Sequence, residues 1–160
     1  MDATHQAQDS ARIVVGVDGS DSSIDALRRG ARMAEALGVR LEGITVWQYP
    51  LEFGGYVTSE WSPESDARSV LDEAAQEVFQ GTPPDWFVPV VCEGSTAQVL
   101  IDASKGAEML IVGSRGHGGF VGLLLGSVSS RCAEYSHCPV LVVHNGDREV
   151  AQADAAGALA

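Results

Sequence analysis

The chain has 160 residues, of which 45% are hydrophobic and 20% are charged, a balance that is typical of one globular domain. Its formal net charge of -12 argues against nucleic acid as the main partner, because a phosphate backbone selects basic surfaces. No apolar run approaches the roughly 20 residues that span a bilayer, so we expect no membrane contact. The three cysteines have no metal-ligand spacing, which favours reduced thiols and a cytoplasmic location.

The first part of the chain predicts a strand, a helix and a second strand. An apolar strand over 12–17 ends in turn chemistry at Asp18, and Ser22 fits the position of a helix N-cap. Gly38 fits the end of this helix, and a second strand follows over 41–47. A strand, a helix and a strand within this length indicate that the two strands are parallel. The helix is predicted to bury Ile24, Leu27, Ala31, Ala34 and Leu37, which recur at helical spacing.

The middle of the chain predicts a long connection, a helix and an edge strand. Segment 48–63 holds several aromatic residues and fits a ligand-covering lid and simple packing against the sheet edge equally well. Pro63 begins the second predicted helix, which is apolar at helical spacing up to Phe79. A third strand over 86–92 contains Pro89, and since proline cannot donate to a ladder, this strand belongs at an edge of the sheet. Ser95 or Thr96 is predicted to cap a third helix that runs through roughly Ser104.

A glycine-rich stretch over 113–126 is the feature around which the remaining sequence is arranged. It follows an apolar strand over 109–112 and precedes a short helix over 127–135, with a fifth strand over 140–143. A strand, a glycine-rich loop and a helix N-terminus together make an anion site, because glycines allow close approach and the helix start offers unpaired N–H groups. The lysine of a phosphate-binding P-loop is missing, and no glycine fingerprint follows the first strand.

These elements predict an α/β fold, a doubly wound open sheet of five parallel strands with helices on both faces. We expect the folded domain to cover residues 12–144, between a flexible segment over 1–11 and a flexible tail over 145–160. In such sheets the ligand binds beyond the carboxyl ends of the strands, where the winding reverses.

The spacing Gly113-x2-Gly116-x9-Gly126-Ser127 resembles the nucleotide-binding signature of the universal stress protein family, in its ATP-binding branch. The resemblance covers about residues 11 to 144 and implies an adenine nucleotide alpha hydrolase-like sheet of order 3-2-1-4-5. That order sets the ends of the first and fourth strands side by side. Asp18 and Gly113 should therefore face one cleft.

The same resemblance implies a binding role for individual residues, with ATP as the ligand and Mg²⁺ bridging its phosphates. For the phosphates and the ribose it implies Gly113, Arg115, Gly116, His117, Gly126, Ser127, Val128 and Ser129. For the base and the adjoining sugar it implies Gly16, Val17, Asp18, Val46 and Val112. No residue is assigned to catalysis or to direct metal binding, since the sequence offers no activated nucleophile and no metal-ligand cluster.

The resemblance implies a cytoplasmic ATP-binding regulator of the stress response that changes its surface for an unknown protein partner when nucleotide binds. A slow ATPase or phosphotransferase is an alternative, as is a binder of cyclic AMP or a cyclic dinucleotide. A nucleotide-free interaction module is disfavoured by the intact glycine spacing. The resemblance also implies a homodimer through the fifth strand, over Val140, Leu141, Val142 and Val143.

Overall fold

The computed structural model describes residues 11–50, 60–116 and 125–145. The predicted flexible termini, most of the predicted lid over 48–63, and His117 lie outside the described residues.

Strands and helices alternate along the chain, as predicted. In chain order they are β1 (Arg12–Gly16), α1 (Asp21–Leu37), β2 (Arg40–Trp47), α2 (Pro63–Phe79), β3 (Phe87–Glu93), α3 (Thr96–Ala103), β4 (Met109–Gly113), α4 (Ser127–Tyr135) and β5 (Val140–Val143). The strands form one sheet of order β3-β2-β1-β4-β5, and every neighbouring pair is parallel. The predicted fold class and strand order are confirmed.

The central strands are buried on both faces, because successive side chains point to opposite sides of a sheet. Ile13 and Val15 of β1 pack under α1 and α2, whereas Val14 packs under α3 and α4 with Leu100. All three β1 side chains are fully buried. Two apolar cores therefore lie on the two faces of the sheet. Helices α1 and α2 cover one face, and α3 and α4 cover the other.

The two edges of the sheet are β3 and β5. Pro89 lies within β3 opposite Gly43 of β2, so the predicted edge position of this strand is confirmed. Within the described ranges, no helix is both long enough and apolar enough to cross a membrane.

The two ends of α1 differ from the sequence prediction. Its N-cap is Ser20, whose hydroxyl accepts the Ser23 N–H, whereas Ser22 lies inside the helix and is buried. Leu37 was expected in the core but is 62% exposed. Val39 packs against the core instead, because Gly38 adopts a left-handed conformation and turns the chain so that the Val39 N–H donates to the Ala34 carbonyl at 3.1 Å.

Candidate functional site

A cavity of about 570 Å³ opens where β1 and β4 end side by side. This is the point at which the winding of the sheet reverses, and ligands of doubly wound sheets bind there. Every predicted site residue except His117, which lies outside the described residues, lines this cavity. They are Gly16, Val17, Asp18, Val46, Val112, Gly113, Arg115, Gly116, Gly126, Ser127, Val128 and Ser129.

The turn between β1 and α1 fixes Asp18 at the cavity. Its Oδ1 accepts the Ser20 backbone N–H at 2.9 Å and the Ser20 hydroxyl at 2.5 Å. Gly19 between them has φ of 82°, a conformation that glycine adopts without steric cost. Asp18 therefore orders the helix start and presents its second oxygen toward Gly116, where a Cβ would lie 2.5 Å from Asp18 Oδ2.

The two ends of the glycine-rich loop are tied to the scaffold by hydrogen bonds. The buried Ser22 hydroxyl of α1 donates to the Arg115 carbonyl at 2.5 Å, and the Ser129 hydroxyl of α4 donates to the Gly113 carbonyl at 2.5 Å. The Gly126 N–H donates to the Ser114 carbonyl at 2.8 Å. Two rigid helices thus hold the ends of the loop, and serine hydroxyls make the connections.

The N-terminus of α4 offers unpaired donors to the cavity. Gly126 is its N-cap and has no side chain, and the first helical bond runs from the Ser130 N–H to the Gly126 carbonyl at 2.9 Å. The N–H groups of Ser127, Val128 and Ser129 consequently have no partner within the helix. The Gly126 N–H was predicted to join them, but it is committed to Ser114.

The four helices differ in whether a side chain caps the backbone N–H groups at their N-termini. In the described ranges, α1 and α2 are each capped by a serine side chain, Ser20 and Ser62. The starts of α3 and α4 have no side-chain cap bond, and both line the cavity, through Thr96 and Ser127. The starts of α1 and α2 also line the cavity, through Ser20 and Pro63, but their serine caps already accept an N–H group. At α3 and α4 a bound anion can satisfy the first-turn N–H groups instead.

The three signature glycines differ in what an added side chain would contact. A Cβ on Gly113 would lie 2.7 Å from the Ser22 backbone carbonyl carbon, so protein packing demands this glycine. At Gly116 the obstacle is the Asp18 carboxylate. A Cβ on Gly126 would meet nothing closer than 3.6 Å, and its φ of -68° suits any residue. The fold alone does not require glycine at 126.

The opposite end of the cavity is apolar and carries backbone polar groups. The Val17 N–H donates to the Ile44 carbonyl at 2.8 Å, which shows that Ile44 directs its peptide groups toward β1. Alternation along a strand directs the Val46 peptide groups to the same side, beyond the last residue of β1. The buried Thr45 hydroxyl donates to the Val17 carbonyl at 2.8 Å and closes the end of the ladder.

Charged side chains alone do not make this cavity attractive to an anion. Among its lining residues, Arg115 is positive, while Asp18 and Asp66 are negative. A polyanionic ligand would thus depend on the helix N–H groups and on a bound cation for compensation.

Two of the three cysteines, Cys132 and Cys138, are unsuited to nucleophilic chemistry. All three are free, and burial raises the pKa of the fully buried Cys132 thiol to about 11. Burial also raises the pKa of Cys138. Both thiols therefore stay protonated at neutral pH, and a protonated thiol is a poor nucleophile.

Sequence reasoning missed part of the cavity wall. Helix α2 contributes several of the missed residues, and Trp47 and Thr96 flank them. Helical spacing in the sequence predicted α2, but no local pattern indicates how close the first turns of this helix come to the site. The missed lining residues are Ser20, Ser23, Thr45, Trp47, Pro63, Asp66, Ala67, Val70, Thr96, Leu100 and Leu125.

The fold and the cavity define a doubly wound α/β domain with a ligand cleft at its switch point. A sequence model of the universal stress protein family matches residues 10–144. The chain belongs to this family.

Individual relatives agree with this assignment. Universal stress protein Rv2623 of Mycobacterium tuberculosis is 33% identical over 150 residues, which cover 86% of this chain and 49% of that protein. The chain thus spans about half the length of the first curated relatives it matches. A universal stress protein solved in complex with cAMP is 27% identical, with a TM-score of 0.64, covering 84% of this chain and 97% of that one. An Archaeoglobus fulgidus universal stress protein solved in complex with dAMP has a TM-score of 0.61 at 21% identity, covering 83% and 97% of the two chains.

Proposed function

We propose that the cavity binds ATP together with Mg²⁺, and that this chain is a regulatory protein of the stress response whose surface depends on nucleotide occupancy. The observation that carries the proposal is the open N-terminus of α4 at the end of the glycine-rich loop. An uncapped helix start inside a cleft offers N–H donors and partial positive charge, and phosphate satisfies both.

The phosphates would lie along the start of α4. The N–H groups of Ser127 and Val128 and the exposed Ser127 hydroxyl are the donors, with Arg115 and Gly116 alongside. His117, which follows Gly116 in the sequence, keeps the phosphate role that the family resemblance implies. Ser129 would act differently, because its hydroxyl proton is already donated to the Gly113 carbonyl. Mg²⁺ would be held by phosphate oxygens and water, which are the ligands it prefers.

The base would enter the apolar end of the cavity. Gly16, Val17 and Val112 supply apolar or flat surface there, and the Val46 peptide groups supply one donor and one acceptor in the plane of the sheet. That pair complements the N1 and 6-amino groups of adenine. Asp18, held by Ser20, would accept from a ribose hydroxyl or the adenine base.

A cyclic adenine nucleotide is the second candidate ligand. It is favoured by the relative that was solved in complex with cAMP at 27% identity. Both ligands would use the base end and one phosphate position at α4. ATP has two further phosphates, whereas cAMP lacks the free 3′-hydroxyl that Asp18 could accept from.

A regulatory role fits the site better than fast catalysis. Phosphoryl transfer needs a positioned base and cationic clamps on the transferring group. Asp18 is engaged by the Ser20 hydroxyl and N–H, and Arg115 is the cationic side chain among the described lining residues. We therefore expect any ATP hydrolysis to be far slower than about 10 per second, a common enzyme rate.

A cytoplasmic location is part of the same proposal, because the three free thiols suit a reducing compartment.

The test is direct identification of the ligand. Freshly purified protein is denatured and its released small molecules are identified by mass spectrometry, and emptied protein is then titrated with ATP, cAMP and a cyclic dinucleotide in the presence of Mg²⁺. We expect adenine nucleotide to be released and ATP to bind saturably. A folded protein that binds none of the three would overturn the proposal, and tighter binding of cAMP than of ATP would replace ATP as the ligand.

We also propose that β5 pairs with β5 of a second copy. Because the Ser114 N–H donates to the Val143 carbonyl and the Leu110 N–H to the Pro139 carbonyl, residues 139, 141 and 143 direct their peptide groups toward β4. Alternation leaves the peptide groups of Val140 and Val142 on the outer edge. Both side chains are only half-buried.

Val142→Pro tests this interface without breaking the internal ladder. Proline removes an outward N–H and is tolerated at edge strands, so the fold should survive while the dimer is lost. Sedimentation at micromolar concentration should show a dimer for the unmodified protein and a monomer for the variant. Leu141→Pro is the matched control, because it removes an inward N–H and should destabilise the fold itself. A monomeric unmodified protein would contradict the proposal.

A further inference from the structure

A second carboxylate, Asp66, lies in the cavity wall and plays no part in the roles assigned above. It belongs to the first turn of α2, and its N–H donates to the Ser62 carbonyl at 3.1 Å. Its Oδ2 accepts the Trp61 indole Nε1–H at 2.9 Å. Across the described ranges 11–50, 60–116 and 125–145, no hydrogen bond reaches its other oxygen, Oδ1. That oxygen is an available acceptor on an exposed side chain in the cavity wall, and Val46 of β2, on which α2 packs, lines the same cavity.

We propose that Asp66 reads the six-position of the bound purine and selects a 6-amino group over a 6-oxo group. This inference rests on the proposed function, since it concerns the base end of the same site. An ionised carboxylate can only accept hydrogen bonds. The adenine 6-amino group has two protons, of which one suits the Val46 carbonyl and the second suits Asp66 Oδ1. A 6-oxo purine would place an acceptor against the charged acceptor Oδ1 of Asp66, and the two oxygens would repel.

Trp61 is the positioning residue for this selection. The indole N–H is a donor only, and its bond to Oδ2 leaves Oδ1 for the ligand. The same bond controls the orientation of an amide at this position. In Asp66→Asn the single oxygen is required by Trp61, and the NH₂ group is left toward the cavity as a donor.

The expected consequence is a change of base preference. ATP and inosine triphosphate differ at the six-position and at the N1 proton that accompanies it, so they are the natural pair of probes. In the unmodified protein ATP should bind at least about 10-fold more tightly than inosine triphosphate, which corresponds to about one good hydrogen bond. Asp66→Asn should reduce this ratio about 10-fold or more, by weakening ATP and strengthening inosine triphosphate.

The experiment measures both dissociation constants by calorimetry with Mg²⁺ in the unmodified protein and three variants. Glu64→Gln is the charge control, because it makes the same charge change in the same helical turn outside the cavity lining, and its ratio should not move. Asp66→Asn combined with Trp61→Phe removes the indole donor, frees the amide to turn, and should restore part of the preference for ATP.

The outcomes separate this inference from the proposed function. If the folded protein binds neither triphosphate, the proposed function fails. If both bind and Asp66→Asn leaves the ratio unchanged, Asp66 does not read the base and the inference is overturned. An equal shift in Glu64→Gln would show a general charge effect and would overturn it as well.

Discussion

Gly126→Asp should lose ATP binding by about 100-fold or more while the protein becomes no less stable. Gly126 is the N-cap of α4, with φ of -68°, and a Cβ there meets no atom closer than 3.6 Å. Aspartate is among the strongest N-cap residues, since its carboxylate accepts N–H groups of the first helical turn. The new side chain would occupy the donors that we assign to phosphate, and its charge would repel the ligand.

In Gly126→Asp the free energy of unfolding should be kept or raised, whereas the affinity for ATP should fall. Thermal or urea unfolding of the ligand-free variant should show a free energy of unfolding equal to that of the unmodified protein or higher by a few tenths of a kcal/mol. Calorimetric titration with ATP and Mg²⁺ should show little or no saturable heat. A variant that merely misfolded would lose both.

Two matched variants separate the effect of the added Cβ from the effects of helix capping and charge on ATP binding. Gly126→Ala adds the Cβ without a polar group and should bind ATP within about 10-fold of the unmodified protein. Gly126→Asn caps the helix without charge and should bind with intermediate affinity. Wild-type affinity in Gly126→Asp would mean that the phosphates do not lie at the start of α4, and the proposed placement of the ligand would be abandoned.

The sequence was sufficient for the layout of the fold because its elements have strong local signals. Apolar runs at β1 and β4 predicted buried strands, and both are fully enclosed between helices. Pro89 alone predicted which strand lies at an edge, since a missing N–H is tolerated only there. Gly38 predicted the end of α1 to the residue.

Errors arose where several residues of one type compete for a role. Ser20, Ser22 and Ser23 all suit an N-cap, and spacing to Asp25 favoured Ser22. The turn made by Asp18 and Gly19 decides for Ser20, and it leaves Ser22 to hold the Arg115 carbonyl. The exchange of Leu37 for Val39 in the core has a similar origin, because the left-handed Gly38 reverses the chain only after the helix has ended.

Site residues that directly follow a predicted strand could be predicted from the sequence, whereas site residues brought there by the packing of other elements could not. Residues that follow β1 and β4 were found because strand ends meet at the switch point of a doubly wound sheet. Asp66 was missed although the start of α2 at Pro63 was predicted correctly, because its place in the wall depends on how α2 packs against the sheet. The Gly126 N–H was misassigned for a related reason, since its bond to Ser114 depends on how the two ends of the loop meet.

Gly113→Ala should destabilise the fold by about 3 kcal/mol or more, in contrast to Gly126→Ala. The added Cβ would overlap the Ser22 hydroxyl and lie 2.7 Å from the Ser22 backbone carbonyl carbon. Rotation of a side chain cannot relieve contact with backbone, so α1 must move away from β4. That movement would also stretch the bond from the Ser22 hydroxyl to the Arg115 carbonyl, which holds the glycine-rich loop.

Urea unfolding of Gly113→Ala, Gly126→Ala and the double variant Gly113→Ala with Ser22→Gly tests this account. Gly126→Ala should lie within about 1 kcal/mol of the unmodified protein, because its Cβ makes only ordinary contacts. Ser22→Gly removes the hydroxyl and the Cβ of Ser22 but not its backbone, so the double variant should recover part of the loss at most. If Gly113→Ala were as stable as Gly126→Ala, close approach of α1 to β4 would not be the reason for glycine at 113. The requirement for glycine at that position would then have to come from the ligand.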